Sequence, residues 1–411
     1  MGKVLGIIGE YNPFHNGHLY HLEQSKQLTG STYTVAIMSG NFTQRGSTSL
    51  IDKWEKTKMA LSNGVDLVIE LPVLYSISSA ENFADGAIKI LNSLKIVDTI
   101  SFGTETQDLN KLNIVANILY NEPKEYKDFL QESLQNGKSY PRSREEAILK
   151  YLNDKSYSTI ISSPNNILGI EYLKAIKKHR AKINPICIKR KDAGHLTLDY
   201  TGKIASATAI REMIRYNKMK EVKNTTTPAS YTILTEEMKN GHFIYDISQF
   251  ENIMLYNLRN MSIQEIANMP DVTEGMEHLI KKAANSCNTI DEFVNIVSSK
   301  RYTNTRIKRI LIYSLLKITK KDMAISKKYN PYIRVLGFNQ KGKEMISEIK
   351  KKNPKANVVT SVKKFMDNNT NKNLKIMMEK DILATNIYTL GYGKDSWSNL
   401  DYTKKMVTNH H

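Results

Sequence analysis

The strongest constraint on the fold is the alternation, through the first 220 residues, between two kinds of segment. "KVLGIIGEY" (3–11), "TYTVAIMS" (32–39), "VDLVIELP" (65–72) and "VDTISFGTE" (97–105) are short and rich in Val and Ile, as buried parallel strands are. Between them stand helical stretches, "NGHLYHLEQSKQL", "DKWEKTKMALSNG" and "SSAENFADGAIKILNSL". A glycine sits where one helix should stop and a Ser-Ser pair where the next should start. A fifth strand, "INPICIKRK" (183–191), follows "PNNILGIEYLKAIKKH". This rhythm predicts an α/β fold with a doubly wound parallel sheet, whose ligands bind beyond the carboxyl ends of the strands. Residues 107–160 read as a helical insertion. The expected organisation is a catalytic domain over 1–222 and a mostly helical, basic region over 223–411, with short strands at "PYIRVLGF" and "ANVVT".

Charge narrows the partners. The chain carries +18, and residues 300–364 alone hold 19 basic and 3 acidic side chains. Such a block attracts polyanions and points to nucleic acid, with the solvated helix faces of a Lys-rich protein as the alternative. The 40% apolar and 24% charged content are those of a soluble globular protein. No run of about 18 apolar residues is present, so no membrane span is expected. The opening apolar stretch is interrupted at Glu10, too soon for a secretory leader. Cys187 and Cys287 give no disulfide framework, which predicts a cytoplasmic protein. The closing His410-His411 pair is given no functional weight.

The chemistry centres on "GEYNPFHNGHLYH" (9–21). Pro13 should end the first strand and Asn16 cap a helix, with His18 in its first turn. A helix start presents unpaired N–H groups and partial positive charge, which suit phosphate. Gly17 would let a nucleotide approach the backbone, and His15 and His18 could donate to phosphate oxygens. Zinc would need a third and usually a fourth ligand, and the sequence offers neither a Cys pair nor a His-Glu-x-x-His helix. A purely structural role for the histidines is the remaining alternative. Farther on, "IASATAIRE" (204–212) places Ser206, Thr208 and Arg211 at a Ser/Thr-rich helix start, a second phosphate clamp.

His15-Asn16-Gly17-His18 resembles the His-x-Gly-His signature of the adenylyl-transferring nucleotidyltransferases, and "IASATAIRE" resembles their Ile-Ser-Ser-Thr-x-x-Arg element, with Ala207 replacing the second Ser. With "SGNFTQRG", "GVDLVIELP", "SFGTE", "SPNNILGIEYLKAI", "IKRKDAGH" and "KRYTNTRIKRILIYSLL", most of the chain resembles the tRNA(Met) cytidine acetate ligase family. The resemblance implies an ATP site made of Ile7, Ile8, Gly9, Glu10, Tyr11, Asn12, Pro13, Phe14, His15, Asn16, Gly17, His18, Leu19 and Tyr20, with Gly103, Asn165 and Arg190. Ser206, Thr208 and Arg211 complete it, and His15 and His18 are the expected catalytic pair. Each of the outlying positions has a plainer reading: a turn glycine at 103, helix capping at Asn165 or Asn166, a surface arginine at 190.

Weaker candidates surround these. Asn41, Gln44 and Arg45 could contact acetate, phosphate or RNA, or simply solvate a loop. Asp52 and Lys53 read as a helix start, His21 as packing or chemistry, and His195 as uncommitted. Arg301, Arg306, Lys308 and Arg309, near Tyr302, are the expected tRNA contacts, with a charged outer helix face as the alternative. The resemblance implies a two-step ligase. ATP and acetate give acetyl-adenylate, with magnesium accompanying the triphosphate, and N4 of the wobble cytidine (C34) of elongator tRNA(Met) then takes the acetyl group. No base for that second step is assignable. Rivals are a small-molecule adenylyltransferase, an aminoacyl-tRNA synthetase relative (which lacks its Lys-Met-Ser-Lys-Ser loop here), and a non-catalytic RNA-binding protein with a vestigial site. Oligomeric state is not legible.

Overall fold

The computed structural model describes residues 1–190, 203–273, 275–299, 302–393 and 395–409. The first expected strands form as β1 (Val4–Gly9) and β2 (Tyr33–Ser39), followed by a small hairpin, β3 (Phe42–Thr43) and β4 (Ser47–Thr48). β5 (Leu67–Leu71), β6 (Thr99–Thr104) and β7 (Asn184–Lys189) supply the remaining three. Beyond them come β8 (Ile333–Phe338), β9 (Val358–Val359) and β10 (Val407–Thr408). The main sheet runs β10-β8-β5-β2-β1-β6-β7, with β9 beside β8. β1 pairs in parallel with β2 on one side and β6 on the other. The chain therefore reverses its direction of winding at β1, and the crevice that opens there is where such sheets bind ligands.

The sheet is mixed rather than purely parallel. β8 lies antiparallel against β5, and it carries β9 and β10 in parallel on its own flank. β5 is buried along its whole length, and its outer edge would otherwise present unpaired N–H and C=O groups. One sheet thus draws strands from both sides of residue 222. The expected insertion is helical: Leu109–Asn121, Lys124–Gln135 and Tyr140–Leu152 are followed by the short turns Lys155–Tyr157 and Ser158–Ser162. A single apolar cluster joins sheet residues such as Leu67 and Ile69 to Ile310, Leu311 and Met377 of the later helices. Among the described residues no helix is long and apolar enough to cross a membrane.

A buried ionic knot fastens the late strands. Lys53, the first residue of α2 (Lys53–Ser62), donates to Glu70 Oε1 of β5 at 2.9 Å and to Asp401 Oδ1 at 2.7 Å. Arg334 of β8 pairs with Glu70 at 2.9 Å and with the same Asp401. None of the four is more than 4% exposed. Removing one partner leaves an uncompensated charge in the interior, which costs about 3–5 kcal/mol. Asp401→Asn should therefore lower unfolding stability by about 3 kcal/mol in denaturant titration, whereas a surface control such as Glu132→Gln should stay within about 0.5 kcal/mol.

Candidate active site

A cleft of about 1330 Å³ opens over the carboxyl ends of β1 and β6. Its walls include Ile7, Ile8, Gly9, Glu10, Tyr11, Asn12, His15 and His18 from the first strand and turn, Gly103, Asn165 and Arg190 from the middle, and Ser206, Thr208 and Arg211. Residues 190 places apart in sequence thus meet around one space. Pro13, Phe14, Asn16 and Leu19 do not line this cleft. Phe14 is buried core, and Leu19 packs against that core. Asn16 Nδ2 bonds the carbonyls of Lys203 and Asn224, strapping the helix start to the later chain. Gly17 and Tyr20 line an adjoining recess with His21.

The turn from β1 into α1 (Asn16–Thr29) departs from the expected cap. His15, not Asn16, is the N-cap, and its Nδ1 accepts the Gly17 N–H at 3.0 Å. The His15 N–H in turn donates to Nδ1 of His18 at 3.3 Å, so the two imidazoles complete a reciprocal capping box. The rings stack with centroids 3.8 Å apart, and Tyr11 and Phe14 flank His18 at 5.1 and 5.5 Å. A Cβ at Gly17 would lie 2.9 Å from His15 Cε1, so the glycine is required first by the imidazole folded over it. With both Nδ1 atoms accepting, each neutral ring carries its proton on Nε2. Burial, then Arg190 and Arg211, push the His15 pKa down to about 3. Burial and the neighbouring His15 and Arg190 hold His18 well below its ordinary value. The pair is a set of uncharged N–H donors.

Positive charge comes from elsewhere. Arg190 follows β7, and a Cβ on Gly103 would meet its Cγ at 3.3 Å. Arg211 Nη1 bonds the Asn12 carbonyl at 3.0 Å, and Nη2 bonds Thr208 Oγ1 at 3.1 Å. Ser206 caps the helix Ala207–Arg215, its Oγ accepting the Ala209 N–H. Both hydroxyls accept in these bonds, and each keeps its O–H to donate. The N–H groups of Ala207 and Thr208 have no partner among the described residues and lie at the cleft wall. Asn165 is held by Glu105, which accepts its Nδ2 at 2.7 Å and the Asn166 N–H at 2.9 Å. His21 packs on β6 through Ser101 at 3.0 Å.

Several lining or supporting residues carry no signal in the sequence. Lys56, deep in α2, reaches the carbonyls of Glu10, Ser39 and Gly40 at 3.0, 2.8 and 2.7 Å, clamping the ends of β1 and β2. Burial pushes its pKa down to about 7 against the pull of Glu10, Glu70 and Asp52. Phe83, Phe102 and Tyr172 form an apolar wall. Gln44 and Arg45, on the β3–β4 hairpin, also line the cleft. Among the described residues no group of three or more His, Cys, Asp or Glu could hold a metal ion.

The basic helix Asn304–Leu315 abuts that hairpin, where a Cβ on Gly46 would fall 2.6 Å from the Arg309 nitrogen. Two of the arginines expected to contact RNA have partners within the protein. Arg309 is 8% exposed and pairs with Asp271 at 2.8 Å. Arg306 donates to the Asp271 carbonyl and to Thr273, with Tyr302 under its guanidinium. Both fasten the 271–273 turn because an arginine fork finds carbonyl and carboxylate there. Lys308 is half-buried and has no polar partner among the described residues, and Arg301 and His195 lie outside them.

Comparison with known proteins agrees with this geometry. The sequence model of the HIGH Nucleotidyl Transferase family matches residues 2–401. The chain belongs to that family. Within it, the chain is 46% identical over 406 residues to the tRNA(Met) cytidine acetate ligase of Thermoanaerobacter sp. (strain X514), covering 98% of this chain and 99% of the relative. It is 45% identical over 416 residues to that of Acetivibrio thermocellus, with 98% and 99% covered. Among solved structures it resembles Thermotoga maritima TmcAL bound with alpha-thio ATP, at 33% identity, TM-score 0.93 and full coverage of both chains. The apo form of the same protein gives a TM-score of 0.96.

Two outcomes follow for the capping turn. Gly17→Ala displaces the His15 ring and should lower ATP affinity at least tenfold by calorimetry, with the circular dichroism spectrum unchanged. Unfolded histidine binds a proton near pH 6.5 but folded His15 only near 3, so this group makes stability fall as pH drops from 7. Between the ligand-free wild type and His15→Asn, the acid-side loss measured by denaturant titration should differ by about 2 kcal/mol at pH 5.

Proposed function

We propose that this chain is an ATP-dependent tRNA(Met) cytidine acetate ligase, forming acetyl-adenylate and then acetylating N4 of the wobble cytidine. The observation that carries the reading is the meeting of two neutral Nε2–H donors, two guanidinium groups and an open helix start in one cleft. Relatives at 45–46% identity bear that name over nearly their whole length, and the structural neighbour binds an ATP analogue.

In this reading His15 and His18 hold phosphoryl oxygens by their Nε2–H groups while an acetate oxygen attacks the α-phosphate. Extra negative charge on the α-phosphate is met by the Ala207 and Thr208 N–H groups and by Arg190 and Arg211. Pyrophosphate leaves, and magnesium, when bound, would neutralise part of its charge. Gly103 and Asn165 border the nucleoside end. Neutral imidazoles suit a site already holding two guanidiniums, since a charged pair would repel them and one another. Arg45 and Lys308, on the hairpin and the helix it abuts, are the tRNA contacts, and a cytoplasmic location accords with that substrate. A small-molecule adenylyltransferase has no use for this basic flank.

Acetate-dependent pyrophosphate release from ATP, with N4-acetylcytidine detected in tRNA by nucleoside mass spectrometry, is the expected result. His15→Ala and His18→Ala should each lower it at least a hundredfold. Turnover only with a phosphorylated small molecule would overturn the assignment in favour of the adenylyltransferase.

A further inference from the structure

The second step of such a ligase needs a group to take the proton of the attacking amine. Among the described residues, one carboxylate lines the cleft and has an oxygen available for it. Glu10 lines the cleft at the end of β1. Its Oε1 accepts the Gln44 N–H at 2.7 Å, and its carbonyl is gripped by Lys56 at 3.0 Å. Oε2 has no hydrogen-bond partner among the described residues. The side chain is therefore aimed and held from both ends, yet half of its accepting capacity is unspent.

Its neighbours decide what it serves. A carboxylate repels a triphosphate, so it does not belong among the phosphate donors His15, His18 and Arg211. It is tied instead to the hairpin whose Gly46 seats on the basic helix, the side from which a polyanion would present a base. Opposite, Tyr172 is 4% exposed and lines the cleft, and its hydroxyl has no hydrogen-bond partner among the described residues. Burial, then the nearby Glu10 charge, push the pKa of that hydroxyl up. Phe83 and Phe102 supply the flat apolar wall beside it. A carboxylate acceptor, a phenol and aromatic faces are what a cytosine amine edge and ring would require, since glutamate accepts from the cytosine amine.

We propose that Glu10 is the catalytic base of acetyl transfer and that Tyr172 hydrogen-bonds the same cytosine. The inference rests on the ligase reading. The N4 nitrogen forms a bond to the acetyl carbonyl carbon as its proton passes to Glu10 Oε2. The bond from that carbon to the phosphate oxygen breaks, and AMP leaves with the electron pair. Glu10 then returns the proton to water.

The two half-reactions separate the possibilities. Acetate-dependent ATP–pyrophosphate exchange reads the first, and single-turnover transfer from preformed acetyl-adenylate to tRNA reads the second. In wild-type protein, absence of acetate-dependent exchange would remove the ligase reading itself, and this proposal with it. Given wild-type exchange, Glu10→Gln should slow transfer at least a hundredfold, far more than it slows exchange. Added formate should restore transfer in Glu10→Ala at least tenfold, a rescue that a merely structural glutamate would not show. Tyr172→Phe should slow transfer about tenfold. Exchange and transfer falling together in Glu10→Gln would assign Glu10 to ATP or its magnesium and overturn the proposal. Unchanged transfer would overturn it equally.

Discussion

The cleft depends on the turn between β1 and α1, where the His15 ring lies back over Gly17 and takes its N–H. That one contact sets the tautomer of His15, frees its Nε2–H, and places the His15 N–H against His18. Both rings are thereby fixed as neutral donors before any nucleotide arrives. Preorganised donors of this kind cost no reorganisation when charge develops on a phosphate. The charge balance is completed by Arg190 and Arg211, which come from the far end of the α/β region.

A second constraint is how the late chain is joined to the early one. β8 closes the open edge of β5, and Lys53, Glu70, Arg334 and Asp401 lock the junction out of water. A fastening of buried charges discriminates sharply among registers, because any slip leaves ions unpaired in the interior. The helix Asn304–Leu315 reaches the cleft hairpin through the Gly46 contact. The basic flank and the nucleotide cleft therefore share a border, which a ligase acting on a polynucleotide needs.

The sequence was legible where local pattern and site chemistry coincide. Five Val/Ile-rich runs became five strands, and both signature elements met at one cleft. β8 was foreseen as a strand but not as part of the main sheet, since sequence pattern does not name a pairing partner. Its buried Arg334 looked like one more basic residue. The partners of Arg306 and Arg309 were hidden for the same reason: the turn at Asp271 that they bond is more than thirty residues away in sequence. Lys56 was hidden inside an ordinary helix pattern, and only the fold brings three strand-end carbonyls to its ammonium. Asn16 looked the better cap by residue type, but the neighbouring imidazole reached back across a glycine.

The most direct test of the account uses acetate labelled with ¹⁸O in both carboxylate oxygens, with ATP and tRNA, followed by mass spectrometry of the AMP released. Attack of an acetate oxygen on the α-phosphate, then of an amine on the acetyl carbon, leaves one labelled oxygen on AMP. The account predicts one ¹⁸O per AMP, matched by acetylated cytidine. Unlabelled AMP alongside acetylated tRNA would contradict it, because the acetyl group would then have been activated without ever being joined to the α-phosphate.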